Sequence, residues 1–369
     1  MDFSFSDEQQ SIAELAHQVL ADHCTQERLR ATEKRDGPRF DAELWQQVAD
    51  TGLAGIAVPE EFGGGGLGFF EIALIVEQLG RTTAPIPFIE TAVLGGLPVA
   101  RFGSDAQKRA WLPKAASGGA VLTAALIEDE PTRAASDGDG WKLSGTKLFV
   151  PAGQLADCVL VPAVTDDAAT AVFLVDPRAE GAATEAMDTT SGQPEAILSL
   201  RDVRVGPDDL LGDAASGAAI VEWIRLRATA ALASLALGVC EEALAITAEY
   251  TKTRKQFDQP IAMFQAVGHR AADAYIDTEG IRLTALQAAW RISEGLPAAK
   301  QIAVAKYWAA DAGQRVVHAA QHLHGGIGVD KEYPLHRYFL YAKQLELALG
   351  GTTRQLLRIG RALAEQPAG

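Results

Sequence analysis

Trp141-Lys142-Leu143, Leu148-Phe149-Val150, Cys158 to Val161 and Ala171 to Val175 are short runs of β-branched and other apolar residues, and their reading decides the fold. Turn-forming pairs lie around them, at Asp137-Gly138, Ser144-Gly145, Asp166-Asp167 and Asp176-Pro177. Apolar runs of this length bounded by such turns predict a small antiparallel β domain. Outward in both directions the period changes to helical. Upstream, Ser6 and Gln9 form a capping box, and Ile12, Leu15, Ala16, Val19 and Leu20 follow at helical spacing. Leu44 to Leu53 and Phe70 to Leu79 repeat the pattern on either side of a Pro59 to Gly68 loop, and Ala106 to Ala116 predicts a further helix interrupted near Pro113. Downstream of Gly212, long Ala- and Leu-rich segments run from Ile220 to Ala364, broken at Pro260, Gly295-Leu296-Pro297, Gly325 to Gly328, Pro334 and Gly350-Gly351. The expected class is therefore α+β: an N-terminal helical domain over 1–120, a middle β domain over 121–213 and a C-terminal helical bundle over 214–369.

The 369 residues suffice for two or three domains at about 150 residues each. Asp and Glu total 48 against 33 Lys and Arg, a net charge of −15, which argues against broad binding to a nucleic-acid backbone. It leaves room for one anionic ligand held by a local cluster of cations. Cys24, Cys158 and Cys240 are odd in number and far apart, so a disulfide framework, structural zinc or an iron–sulfur cluster is not expected. Met1-Asp2-Phe3-Ser4 offers neither the basic nor the apolar part of a signal peptide, and the small apolar stretch from Ala228 to Cys240 is shorter than a bilayer span. A cytoplasmic protein is the expectation.

Two motifs fail for want of context. Gly63, Gly65 and Gly68 match the G-x-G-x-x-G spacing, but Pro59-Glu60-Glu61-Phe62 precedes them where a strand is needed. His318 and His322 stand four apart, with His324 beyond, yet Ala319 occupies the place of the glutamate that a zinc hydrolase requires. Helix-terminal polar residues explain them more simply.

Four other segments, taken together and in order, resemble the acyl-CoA dehydrogenase family: Pro59-Glu60-Glu61-Phe62-Gly63-Gly64, Arg254-Lys255-Gln256-Phe257, Phe264-Gln265-Ala266-Val267 and His324-Gly325-Gly326-Ile327-Gly328. The resemblance spans essentially the whole chain and fits the helix–β–helix layout. It implies a flavoprotein that desaturates a CoA thioester, with FAD taking a hydride from Cβ while a carboxylate removes the α-proton. It further implies that Arg254 pairs with the FAD pyrophosphate, Phe257 packs on the flavin nucleotide and Gln265 hydrogen-bonds it. The backbone at Gly325 and Gly326 would approach the adenine end, with His322 at the site in place of the glutamine expected there and Thr352 completing it. In the family these groups reach largely into a neighbouring subunit's flavin.

The chain also departs from that pattern. The family's base is commonly a Glu before Gly-Thr, and here the run is Leu349-Gly350-Gly351-Thr352. The family's other base location corresponds to Arg225-Leu226-Arg227, leaving Glu346 and Glu222 as candidates for a relocated base. The glycine-rich Thr-Glu-Pro run that wraps flavin and thioester is replaced by Ala125-Leu126-Ile127-Glu128-Asp129-Glu130-Pro131, whose acids would repel a pyrophosphate. The strand behind the flavin reads Leu148-Phe149-Val150. Lending groups look intact and receiving groups look degraded. In this the chain resembles the non-catalytic partner in heteromeric α2β2 acyl-CoA dehydrogenases of actinobacterial steroid side-chain degradation, with His336-Arg337-Tyr338-Phe339 and the Tyr341 to Gly351 run carrying the likeness. The implied partners are an acyl-CoA, a homologous subunit that brings the base, and an acceptor such as electron-transfer flavoprotein. A self-sufficient homotetramer using Glu346 or Glu222, and a flavin-free scaffold, are the alternatives.

Overall fold

The computed structural model describes residues 4–365. Their internal contacts divide them into two compact units: one holds the chain up to Gln26, Phe69–Ala84 and everything from Thr229 onward, the other Glu27–Gly68 and Pro85–Ala228.

The second unit contains α2 (Gln26–Glu33), α3 (Ala42–Asp50), α5 (Leu97–Phe102), α6 (Asp105–Ala116) and a seven-stranded sheet. The strands are β1 (Leu122–Ala124), β2 (Arg133–Asp137), β3 (Gly140–Val150), β4 (Cys158–Thr165), β5 (Thr170–Val175), β6 (Ala182–Ala186) and β7 (Ala196–Val205). Their order is β1-β4-β2-β3-β7-β6, with β5 pairing β4. Alternate residues turn inward and give a core of Leu143, Val159, Val161, Phe173 and Leu198, with Trp141 packed on Phe173 at 5.3 Å between ring centroids.

Three sequence expectations change here. The sheet is mixed rather than antiparallel, because β1 and β2 both run parallel to β4. Ser144-Gly145 is a bulge inside one long strand rather than a turn between two. The register slips between Leu143 and Gly145, and a Cβ on Gly145 would lie 2.6 Å from the Thr132 hydroxyl, so only glycine fits. α6 runs unbroken through Pro113, which is exposed, as is Arg109, the residue whose carbonyl loses its N–H partner to the proline. Its N-terminus carries a capping box of Ser104 and Gln107, whose side chain also donates to the Asp208 and Leu210 carbonyls. The Gly63 to Gly68 run folds back on its own loop, Gly65 N–H donating to the Gly55 carbonyl and Gly66 N–H to that of Val58.

The first unit is helical: α1 (Asp7–His23), capped by Ser6 and Gln9 as expected, α4 (Phe69–Thr82), α8 (Gln265–Ser293), α9 (Ala299–His324), α10 (Leu335–Leu347) and α11 (Thr352–Ala364). α7 (Gly217–Thr253) gives its first turns to the second unit and the rest to the first. Where α4 crosses α7, a Cβ on Gly238 would fall 1.9 Å from the Glu77 carbonyl oxygen and one on Gly80 2.2 Å from that of Leu235, so glycine on both helices sets the approach. Arg81 and Arg282 both pair with the buried Glu241 beside that crossing. α7 is longer than the Ala228 to Cys240 stretch implies and passes the length and composition test for a membrane span. However, 72% of its apolar window is buried within the chain, as in a core helix.

Candidate functional site

All the residues singled out as lending groups lie in the helical unit, on the hairpin and helix ends around α8. α7 stops at Thr253, and Arg254 opens a hairpin of β8 (Lys255–Gln256) and β9 (Gln259–Pro260), closed by the Arg254 carbonyl accepting from Ile261 N–H at 2.8 Å. The two residues at its tip, Phe257 and Asp258, have φ of +51° and +63°. Both adopt the left-handed conformation of a type I′ turn, which favours glycine or asparagine, so the tip is held under strain. Phe257 is 88% exposed and meets Phe264 edge-on at 6.2 Å, while Met263 beside it is 70% exposed. The Arg254 side chain is exposed and makes no ion pair among the described residues. Gln265, at the start of α8, lies 3.4 Å from the His269 ring.

At the end of α9 the chain turns sharply. Gly325 has φ +64°, and Cβ atoms added at Gly325 and Gly326 would meet no atom within 4 Å, so this backbone is open to close approach from outside. His324 anchors the turn from within. Its Nδ1 lies 2.8 Å from the Ala320 carbonyl and its Nε2 3.1 Å from the Tyr333 hydroxyl, and Tyr250 stacks on the ring at 4.3 Å. The carbonyl contact requires a proton on Nδ1, so Nε2 accepts from Tyr333, and burial lowers the imidazole pKa in keeping with a neutral ring. His322 points outward and, with His269, Arg270 and Asp273, lines a recess of about 310 Å³. His318 instead packs edge-on against Phe339. Among the described residues no His, Cys, Asp and Glu cluster has metal-ligand geometry.

The turn at Leu349-Gly350, which the sequence reading takes as the family's base position, is closed by comparison. Leu349 has φ +54° and Gly350 φ +97°, and a Cβ on Gly350 would lie 2.5 Å from the Arg354 Cδ. The stem of Arg354 thus occupies the space a side chain at 350 would need. Two buried groups pin this turn. Lys306 Nζ donates to the Leu345 carbonyl at 2.5 Å and the Glu346 carbonyl at 3.2 Å at the end of α10, a cation where the helix dipole favours one. Gln355 Nε2 donates to the Gly350 carbonyl at 2.9 Å. Burial pushes Lys306 down to about 8. Thr352 begins α11 immediately after. Of the relocated-base candidates, Glu346 pairs with Lys343 at 2.5 Å and Glu222 pairs with Arg225.

In the sheet unit the acidic run is less repulsive than its sequence implies. Glu128 accepts from Thr132 N–H and hydroxyl at 2.9 and 2.8 Å and from Lys147 Nζ at 2.5 Å, so its charge is spent internally. Lys147 is 1% exposed and also donates to the Pro162 carbonyl. Asp129 and Glu130 remain exposed. The Ile127 carbonyl accepts from Leu148 N–H, and Phe149 stands 48% exposed at φ +49°. Sequence reasoning had no sight of Lys147, Lys306 or Gln355. The one available signal was Lys306, a lone lysine in the apolar run from Ile302 to Ala310.

The family models for the acyl-CoA dehydrogenase N-terminal and C-terminal domains match residues 6–119 and 216–364. The acyl-CoA dehydrogenase FadE27 of Mycobacterium tuberculosis is 43% identical over the full length of both chains. Among solved structures, a chain of the ChsE4–ChsE5 complex from Mycobacterium tuberculosis is 44% identical, with a TM-score of 0.95 and full coverage of both chains. A chain of a variant of the Tcur3481–Tcur3483 steroid ACAD is 41% identical at TM-score 0.89, covering 97% of this chain and 98% of that one. The protein belongs to the acyl-CoA dehydrogenase family.

Proposed function

We propose that this chain is the base-deficient subunit of a heteromeric, FAD-dependent acyl-CoA dehydrogenase. The observation that carries the reading is the closed turn at Gly350: the position where the family commonly holds its base has no side chain, a left-handed backbone, and the Arg354 stem in the vacated space. The candidates for a relocated base support it, since Glu346 and Glu222 are each tied up in an ion pair with a neighbouring cation, Lys343 and Arg225.

The outward face fits FAD. Arg254 offers to a pyrophosphate a guanidinium fork that has no carboxylate partner among the described residues. Phe257 offers an exposed ring to the flavin nucleotide, Gln265 an amide, and the open backbone at Gly325 and Gly326 a surface that the adenine end can approach; His322 and Thr352 are the further residues assigned to the cofactor. When bound, FAD accepts the hydride that leaves the acyl Cβ. In this chain Tyr250, His324 and Tyr333 hold the glycine turn in register, and the strained hairpin tip projects Phe257 away from its own helices.

The partner is a homologous dehydrogenase chain that supplies the α-proton acceptor, as the pairing named for ChsE4–ChsE5 suggests. The acyl group is a steroid side-chain CoA thioester, by analogy with the Tcur3481–Tcur3483 steroid ACAD. The electrons pass to an acceptor such as electron-transfer flavoprotein, and the reading carries a cytoplasmic location with it. The test is to purify the chain alone and together with a homologous dehydrogenase chain that retains the base, then measure flavin absorbance and thioester desaturation. Flavin and turnover are expected only for the pair. A lone chain that is yellow and active would overturn the reading, and Glu346→Gln and Glu222→Gln would then show which carboxylate serves. A pair that turns over without visible flavin would do so equally.

A further inference from the structure

Lys306 stands in the first half of α9 among Ile302, Ala303, Ala305, Ala309 and Ala310, all buried, and is itself 0% exposed. An apolar side chain would fill such a place without the cost of desolvating an ammonium. Among the described residues no carboxylate lies within ion-pair distance of it. Glu346 on α10 is the charged group that acts on it, and its carboxylate pairs with Lys343; α7, α8 and α11, which also pack on α9, bring no charge to it. What the ammonium reaches is backbone. α10 leaves four carbonyls open at its C-terminal end. Gln344 accepts from Ala348 N–H at 3.0 Å and Leu347 from Gly350 N–H at 3.1 Å, while Lys306 Nζ takes the two between them, Leu345 at 2.5 Å and Glu346 at 3.2 Å. All four are satisfied, and two of them depend on one side chain. On the far side the fully buried Gln355 donates to the Gly350 carbonyl at 2.9 Å. Between these two pegs run the left-handed Leu349 and Gly350 and then Thr352, the first residue of α11.

We propose that Lys306 is a positioning residue for the cofactor: its ammonium latches the end of α10 and so fixes the turn that places Thr352. The latch stands on these hydrogen bonds, whereas its bearing on flavin rests on the assignment of Thr352 in the function proposed above. An ammonium bonds a carbonyl more strongly than a neutral amine does, so losing the proton loosens the turn. Burial brings that loss down from 10.5 to about 8. In the unfolded chain the amine titrates as an ordinary lysine. From about 8 to 10.5 the unfolded chain therefore holds more of this proton than the folded one, and rising pH makes the fold more stable while it weakens the latch. The opposite signs separate a positioning lysine from a merely stabilising one.

Hydrogen exchange of the lone chain, followed by mass spectrometry and corrected for the intrinsic rate at each pH, reads the latch without any cofactor. From about pH 7 to about pH 9 the amides from Ala348 to Gln355 are expected to open about tenfold more often in the parent chain. Lys306→Met, which keeps the length and loses the charge, is expected to show the faster opening at both pH values. Gln355→Leu is expected to open more at both while keeping the parent's pH dependence. Urea midpoints give the second reading: across the same window the parent is expected to gain stability relative to Lys306→Met. In the enzyme assembled with a homologous dehydrogenase chain, the flavin dissociation rate is expected to rise by about tenfold in step with the opening, and to lose its pH dependence in Lys306→Met. Exchange in the parent that is indifferent to pH overturns the proposal with no variant needed, as does a pH profile that Lys306→Met retains in full. Flavin release that ignores an opening turn overturns the positioning role while leaving the function proposed above intact. A parent pair that carries no flavin overturns that function and the positioning role together.

Discussion

The hairpin from Arg254 to Gln265 and the turn from Leu347 to Gly351 belong to the same helical unit and treat their polar groups in opposite ways. On the hairpin, the Arg254 side chain has no acceptor among the described residues, Phe257 is 88% exposed and the tip backbone is strained. At the turn, the buried Lys306 and Gln355 satisfy the carbonyls, and Arg354 fills what remains. A group that a fold leaves unsatisfied at a cost in hydration or strain is a group prepared for something outside the chain, and a group fully satisfied within is withdrawn from chemistry. The contrast separates a face that gives from a position that has been closed.

The largest expected effect comes from removing the giving group. Arg254→Ala should weaken flavin retention in the assembled enzyme by about 3 kcal/mol, on the order of a hundredfold in dissociation constant, while leaving the thermal melt of the lone chain unchanged. Retention of full absorbance after dialysis would erase the contrast. The complementary change attacks the closed position. Gly350→Glu should destabilise the chain by about 2 kcal/mol in urea unfolding, because the side chain must adopt φ +97° against the Arg354 stem, and it should not confer desaturation on the lone chain. Turnover from that variant would show the turn to be open after all.

Glu90 supplies the intermediate case, enclosed yet poorly compensated. It begins a π-helical turn over Glu90–Gly96, and burial, reinforced by the charge of Glu195, pushes its carboxyl from an ordinary 4.5 to about 7. The folded state therefore holds this proton more tightly than the unfolded state. The associated stability is complete below the unfolded value and is lost as pH rises through 7. Glu90→Gln should accordingly stabilise the chain progressively between pH 5 and pH 8, by about 2 kcal/mol over that window, read as the difference in urea midpoints. An equal gain at both pH values would mean that the carboxyl is not held neutral. The smallest effect tests the strain itself. Asp258→Gly should raise stability by about 1 kcal/mol by releasing φ +63°, and the looser tip should bind flavin less well.

Much of this was legible in the sequence where local rules act alone. The Ser6–Gln9 capping box, the helical periods of α1, α3 and α4, and the strand runs at Cys158 and Ala171 all depend on neighbours a few residues away, and they stand where expected. The failures involve long-range partners. Ser144-Gly145 has the composition of a turn, and only Thr132 across the sheet makes it a bulge; Pro113 has the composition of a break, and its exposure makes it harmless. β2 and β6 are polar or small and carry no apolar signal, and the parallel pairing onto β4 follows from topology that no local pattern encodes. At the candidate site the motif residues could be named from sequence, but the satisfaction of Glu128 by Lys147 could not be, since it joins residues 19 apart; Arg354 is only four residues beyond Gly350, yet its contact depends on the left-handed turn at Leu349 and Gly350, which composition alone does not specify.

The exposed apolar side chains along the hairpin and α8, Phe257, Met263, Tyr275, Ile276 and Leu283, bear on the cell as well as on the molecule. Surplus copies lacking a cover for this surface would clump or fall to proteases. Matched synthesis of whatever hides it would keep the supply of orphans low.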